Sequence, residues 1–209
     1  MPLIYQNLSP SGIQLGIWQI KEDEDWLLSH IPLQEEEKTV LLKLKSPALR
    51  IQRLAYRMVL KQLLGNAVSL FYDAYRKPHL KDLPGFISVS HSGEMAAAIY
   101  SQNHPVGIDI ERINERIFPL SEKFLSLEEC IGQADQTSAE RLTLYWSAKE
   151  VLYKKDGKKG LIFKEDLHID PFELSEKGLM LGHIRRGAMQ GTHPLAFFRL
   201  QDYVLVYTP

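Results

Sequence analysis

The 209-residue chain holds one cysteine, Cys130, which excludes an internal disulfide and any zinc site built on cysteines. It has no apolar run long enough to span a bilayer. The opening MPLIYQNLSPSG lacks the basic stretch and apolar core of a secretory signal, so the expectation is a cytoplasmic protein. Neither sign of charge prevails: 25 Lys and Arg against 26 Asp and Glu leave a net charge of −1. That balance excludes a chain that coats nucleic acid or an anionic membrane by bulk electrostatics. Low-complexity tracts and residue-level repeats are absent. The seven histidines show no metal-ligand spacing such as H-E-x-x-H, and Ser88-Val89-Ser90-His91-Ser92 carries no G-x-S-x-G elbow. A hydrophobic fraction of 44% and a charged fraction of 24% are those of a globular protein.

The pattern of strands and helices predicts an α+β fold in two comparable halves, 1–105 and 106–209, with no flexible linker. Gly12 to Ile20 reads as a strand, followed by an acidic loop of Glu22, Asp23, Glu24 and Asp25. Ala48 to Leu64 reads as a helix, entered at Ser46-Pro47 and closed by Gly65. Phe86 to Ser90 and Met95 to Tyr100 predict a hairpin joined by His91-Ser92-Gly93-Glu94. A strand follows from Val106, then a helical stretch from about Leu120 through Cys130 and a polar loop from Gly132 to Ser138. A second strong helix spans about Ala139 to Lys155 and stops at Asp156-Gly157. Strands at Leu167 to Ile169, Leu179 to Ile184, Leu195 to Leu200 and Tyr203 to Tyr207 complete the chain.

Charge is unevenly spread. From Lys38 to Tyr72 there are seven Lys or Arg and no acid, and Arg50, Arg53, Arg57 and Lys61 fall on one helix face. Four stacked cations repel unless compensated. Compensation comes from solvent, from acids folding in from Glu35 to Glu37, or from the phosphate of a small ligand, which Arg forks and Lys point charges suit.

Asp109 and Glu111 in Gly107-Ile108-Asp109-Ile110-Glu111 lie two apart on a predicted strand, so both carboxylates share a face. Two acids about 7 Å apart call for a cation between them, and hard oxygen donors suit Mg²⁺. The D-x-E pattern by itself is common, and a surface strand with two solvated acids is its simpler account. In Trp146-Ser147-Ala148-Lys149-Glu150-Val151-Leu152-Tyr153-Lys154, Glu150 and Lys154 lie one turn apart on the polar side of the helix, where they can meet as an ordinary i, i+4 pair. Lys149 falls within the apolar arc, where an ammonium needs a partner. Glu150 could complete a metal site with Asp109 and Glu111, and Lys154 could neutralise a phosphate.

Taken in order, these segments resemble the 4′-phosphopantetheinyl transferase superfamily, in its larger surfactin-synthetase-activator type. The K-P loop of that family is similar to Lys77-Pro78, its F-x-[IV]-S-H-S strand to Phe86–Ser92, its G-[IV]-D-[IV]-E segment to Gly107–Glu111, and its W-x-x-K-E-x-x-x-K helix to Trp146–Lys154. The family's phenylalanine-serine-acid stretch is similar to Phe124-Leu125-Ser126-Leu127-Glu128-Glu129. The motifs span residues 77 to 154. The resemblance implies a pseudo-twofold arrangement of two α/β halves, each a small, mainly antiparallel sheet on a long helix, with coenzyme A held between them. It implies transfer of 4′-phosphopantetheine from coenzyme A to a serine of an apo carrier protein, with release of 3′,5′-ADP. The two-half architecture leads to the expectation of a monomer, and the balanced charge and lack of a spanning run to that of no nucleic acid or membrane partner. By the same likeness Asp109, Glu111 and Glu150 would bind Mg²⁺ with the diphosphate. Lys77, Ser90, His91 and Arg53 would hold nucleotide phosphates. Glu150 would take the serine proton and Lys154 would steady the leaving oxygen. Two positions depart from the pattern: Arg76 stands where the family has glycine, and Val151 where it has alanine. A non-catalytic coenzyme A binder and a Mg²⁺-dependent phosphohydrolase are the competing readings.

Overall fold

Glycine and serine at the ends of two 18-residue helices mark the framework of the chain. The helix Pro47–Leu64 is capped by the Ser46 hydroxyl, which accepts from the Leu49 N–H, and ends at Gly65 in the left-handed conformation. The helix Ala139–Asp156 is capped by Ser138, which accepts from Arg141 N–H, and ends at left-handed Gly157. The computed structural model describes residues 3–65, 68–131, 138–158 and 160–209. It divides into two units, Met1–Val106 and Gly107–Pro209. Both are mixed helix and sheet, and every strand pairing described is antiparallel. The fold is α+β. No described helix is long and apolar enough to cross a membrane.

In the first unit the order is β1 (Leu3–Leu8), β2 (Gln14–Gln19), α1 (Glu24–His30), α2 (Glu35–Leu42), α3 (Pro47–Leu64), β3 (Leu70–Tyr72), β4 (Pro78–Leu80), β5 (Phe86–Ser92) and β6 (Met95–Ser101). Four strands form a sheet in the order β1-β2-β6-β5, and β3 and β4 form a separate hairpin. Leu54, Val59, Leu60 and Leu63 of α3 pack with Trp18, Ile87, Ala96 and Ala98 of the sheet. Gly16 lies under α3, and a Cβ there would come within 2.7 Å of Val59. The expected acidic loop is a helix start instead: Asp23 caps α1 by accepting from Trp26 N–H, which places Glu24 and Asp25 in the first turn, where the helix dipole favours them. The hairpin strand also runs further than expected, to Ser92, because pairing of His91 with Ala96 and Ser92 with Met95 leaves only Gly93-Glu94 for the turn.

The second unit comprises β7 (Ile108–Arg112), a 3₁₀ turn Glu115–Leu120, α4 (Ser121–Phe124), α5 (Leu127–Ile131), α6 (Ala139–Asp156), α7 (Phe163–Asp166), β8 (Leu167–Ile169), β9 (Lys177–Ile184), β10 (Gly191–Leu200) and β11 (Tyr203–Tyr207). Its sheet has the order β7-β11-β10-β9-β8. The stretch Leu120 to Cys130, expected as one helix, is broken at Leu125, which is extended. Ser126 starts a new helix: its N–H donates to Glu129 Oε2 (2.7 Å) while its hydroxyl accepts from Glu129 N–H (3.3 Å). Of the expected loop Gly132 to Ser138, residues 132–137 lie outside the described ones.

Candidate active site

In the second unit the strand β7 and the helix α6 meet at Gly107. A Cβ here would fall on the Val151 carbonyl oxygen, so any side chain would push the strand off the helix. Gly107 is tied to Thr208: its N–H donates to Thr208 Oγ1 (3.1 Å) and its carbonyl accepts from Thr208 N–H (3.1 Å). Cross-strand register then decides which way the acids point. Asp109 faces Val206 and Glu111 faces Val204, and both valines belong to the apolar cluster that includes Ala148, Val151 and Leu152 of α6. Directly opposed residues share a sheet face, so Asp109 and Glu111 are on the α6 side. Ile108 and Ile110 are fully buried on the other face.

Asp109 is 3% exposed and Glu111 is half-buried. The Lys154 ammonium reaches across from the last turn of α6, donating to Asp109 Oδ1 (2.7 Å) and to the Ile108 carbonyl (3.1 Å). Beside the i, i+4 neighbour Glu150, whose carboxyl feels its charge, Lys154 thus reaches the more deeply buried carboxylate, whose charge is costlier to leave alone. Burial pushes the Glu150 carboxyl up to about 7; Lys154 opposes the rise and the charge of Asp109 adds to it. One ammonium and two carboxylates therefore interact at one place, and among them the Glu150 carboxyl is the group that exchanges a proton near neutral pH.

Lys149, next to Glu150, is fully buried. Its ammonium donates to Glu129 Oε2 (2.7 Å) and to the carbonyls of Phe124 (2.7 Å) and Phe163 (3.0 Å). Glu129 accepts in addition from Ser126 N–H and Ile169 N–H. This answers the question that the apolar arc raised: the charge is paired and hydrogen-bonded within the core.

Donor chemistry bears on the Mg²⁺ that the resemblance implies. Asp109 and Glu150 are close enough to couple, and Glu111 shares their side of β7. Among the described residues no three His, Cys, Asp or Glu side chains converge into a complete cage. Mg²⁺ does not need one, since it keeps waters and completes its shell with one or two carboxylates and substrate phosphates. A carboxylate set compensated by a movable ammonium fits such an ion.

In the first unit the four stacked cations of α3 have separated roles. Arg50 makes a two-point ion pair with Glu24 (2.6 and 2.9 Å) and bonds the Leu44 carbonyl. Lys61 donates to the His30 carbonyl (2.8 Å). Arg57 is buried, donating to the hydroxyls of Tyr56 (3.1 Å) and Tyr72 (3.2 Å), with Glu37 at 3.5 Å. Burial alone would lower Arg57; Tyr56, Tyr72 and Glu37 outweigh it and leave the guanidinium raised. This network was legible only as an arginine inside Ala55-Tyr56-Arg57-Met58-Val59, the same kind of signal that marked Lys149. Arg53 is different: it lines a cleft of about 640 Å³ with Lys43, Phe71, Tyr72, Arg76 and Lys81.

Lys77 is half-buried in the β3–β4 loop, where its N–H donates to Asp73 Oδ1 (3.0 Å). Ser90 and His91 point to opposite faces of β5. Ser90, 7% exposed, lies opposite Ala97 on the face away from α3, and His91 lies opposite Ala96 and stacks on Tyr56 at a centroid distance of 6.4 Å.

Residues 105–207 match the model of the 4′-phosphopantetheinyl transferase superfamily. Relatives are named as such transferases: ffp of Bacillus subtilis is 27% identical over 156 residues, 70% of this chain and 69% of its own. Sfp of B. subtilis strain 168 is 26% identical over the same shares. The transferase gsp of Aneurinibacillus migulanus is 37% identical over 89 residues, 41% of this chain and 37% of its own. This chain belongs to the 4′-phosphopantetheinyl transferase superfamily. It is an enzyme, a phosphopantetheinyl transferase of the type that the Bacillus relatives represent. The matched region of the transferase contains Asp109, Glu111, Glu150 and Lys154, whereas Arg53, Lys77, Ser90 and His91 precede it.

Proposed function

We propose that this transferase moves 4′-phosphopantetheine from coenzyme A to a serine hydroxyl of an apo acyl or peptidyl carrier protein in the cytoplasm. The observation that supports this most directly is the Lys154–Asp109 contact of 2.7 Å beside a Glu150 carboxyl raised to about 7. The serine oxygen forms a bond to the β-phosphorus of coenzyme A, and the bond from that phosphorus to the bridging oxygen breaks, releasing 3′,5′-ADP. Glu150 accepts the serine proton. Lys154, which contacts Asp109, stabilises the charge on the leaving phosphate oxygen. Asp109, Glu111 and Glu150 would hold Mg²⁺, whose charge would neutralise the diphosphate. Arg53, Lys77, Ser90 and His91 of the first unit take the nucleotide phosphates. Positioning and charge stabilisation supply most of the rate.

Intact mass of a purified apo carrier protein, after incubation with the enzyme, coenzyme A and Mg²⁺, tests the reading. A gain of one phosphopantetheine, lost in EDTA, is the expected result. Unmodified carriers throughout, alongside tight coenzyme A binding, would move the assignment to a binder without turnover.

A further inference from the structure

Two residues other than glycine have a positive φ among the described ones, Arg76 at 66° and Gln201 at 56°. Both stand in β-hairpin connections where a left-handed residue recurs and glycine is the usual occupant, Gln201 in the two-residue turn between β10 and β11 and Arg76 at the end of a three-residue loop. Arg76 sits in the loop between β3 and β4, which Asp73 organises. Asp73 Oδ1 accepts from the N–H of Tyr75 (2.8 Å) and of Lys77 (3.0 Å), its carbonyl accepts from Arg76 N–H (3.0 Å), and its own N–H donates to the Lys77 carbonyl (3.1 Å). Asp73 Oδ2 is also paired with His79 Nε2 (3.0 Å). These bonds impose the left-handed backbone on whatever residue stands at 76, and glycine meets it without strain. An arginine there forgoes stability, and the strain points to a use for the side chain.

The side chain lines the 640 Å³ cleft of the first unit, a volume in the range of small-molecule sites. Lys43, Arg53, Arg76 and Lys81 bring four cations to its walls. Lys81 is engaged with Gln34 Oε1 (3.1 Å), whereas Lys43, Arg53 and Arg76 have no carboxylate partner among the described residues. Two glutamates line the same cleft. Glu37 is committed to Arg57 and to the N–H groups of Leu70 and Gln34, which leaves Glu36 on the exposed rim. Phe71, 48% exposed, adds an aromatic face beside the cations. Two guanidinium forks and an ammonium beside an aromatic ring suit a nucleotide that carries a terminal phosphomonoester.

We propose that Arg76 is a specificity-determining residue: the Asp73 turn holds it in a strained conformation so that its guanidinium, with Arg53 and Lys43, selects ligands bearing a terminal phosphomonoester on the nucleotide. The proposal rests on the transferase reading, in which that group is the 3′-phosphate of coenzyme A.

The test uses the full-length enzyme with Arg76→Gly and Arg76→Lys, and binding of 3′,5′-ADP and 5′-AMP by calorimetry as well as transfer kinetics. Arg76→Gly relieves the backbone and raises the melting temperature by about 2–4 °C. It weakens 3′,5′-ADP about tenfold and leaves 5′-AMP unchanged, while Arg76→Lys falls between. Unchanged affinity for both nucleotides, or equal losses for both, overturns the assignment, as does a glycine variant less stable than the parent. If the glycine variant does not fold, the lysine variant decides by the same ratio of affinities. A wild-type enzyme that neither binds 3′,5′-ADP nor transfers phosphopantetheine removes the transferase reading itself, a result separate from any difference between variants.

Discussion

Glu150 offers a prediction with two opposite signs. Its carboxyl is raised from an ordinary 4.5 to about 7, chiefly by burial. In the metal-free protein below about pH 4.5 both folded and unfolded states hold the proton, and the site costs no stability. Between about pH 4.5 and 7 the unfolded chain ionises while the folded one resists, so stability falls as pH rises. Above about pH 7 the penalty is complete: a shift of that size corresponds to about 3 kcal/mol, which partial exposure reduces to about 2 kcal/mol. Glu150→Gln keeps the shape and removes the charge. In EDTA the variant should therefore match the parent near pH 4.5 and exceed it by about 2 kcal/mol near pH 8, read by urea denaturation at both pH values. The same variant should lose phosphopantetheine transfer by about a hundredfold or more, because it has no base for the serine proton. A stability difference that does not change with pH would refute the burial argument, and near-normal turnover by the folded variant would remove Glu150 as the base.

Arg53→Ala should raise KM for coenzyme A about tenfold and leave KM for 3′-dephospho-coenzyme A unaltered, measured in parallel transfer assays; equal effects would place Arg53 away from the 3′-phosphate. Lys149→Met leaves Glu129 charged in the core without its ammonium, so denaturation should show a loss of about 3–5 kcal/mol, and adding Glu129→Gln should recover part of it in a double-mutant cycle. Gly107→Ala forces β7 away from the α6 backbone; it should destabilise the enzyme by about 1–3 kcal/mol and lower kcat more than it raises KM for coenzyme A. Asp109→Ala should abolish transfer while circular dichroism stays that of the parent, since Asp109 supplies charge to the site whereas the apolar cluster of Val151, Leu152, Val204 and Val206 holds β11 and α6 together.

The elements that could be read from sequence are those whose ends carry local signals. Ser46-Pro47 with Gly65, and Ser138 with Gly157, bracket α3 and α6, and the structure uses each as a cap. The short helices α1 and α2 escaped notice because they are held by a few buried residues, Leu27 in one and Glu37 and Leu41 in the other, too few to show a period. The break at Leu125 was written in Ser126-x-x-Glu129, a capping box hidden inside an apparently continuous helical stretch. At His91 the opposite happened: pairing with β6 carried the strand through residues that look like a turn. The acids of β7 could be assigned a common face from alternation alone. Their ammonium partner could not, because Lys154 lies 45 residues away and local spacing offered Glu150 first.

The buried Lys149 has a mechanical consequence for its neighbour. A helix held only by greasy contacts can roll about its axis, since such contacts have no preferred direction. Hydrogen bonds do have one, and the Lys149 ammonium is pinned by three acceptors carried on α4, α5 and the start of α7. Consecutive helix residues point about 100° apart. Fixing the heading of Lys149 thus fixes that of Glu150, and one turn later that of Lys154. The adjacent pair works as a key and a pointer, one residue stopping the rotation of α6 and the next using the angle so defined.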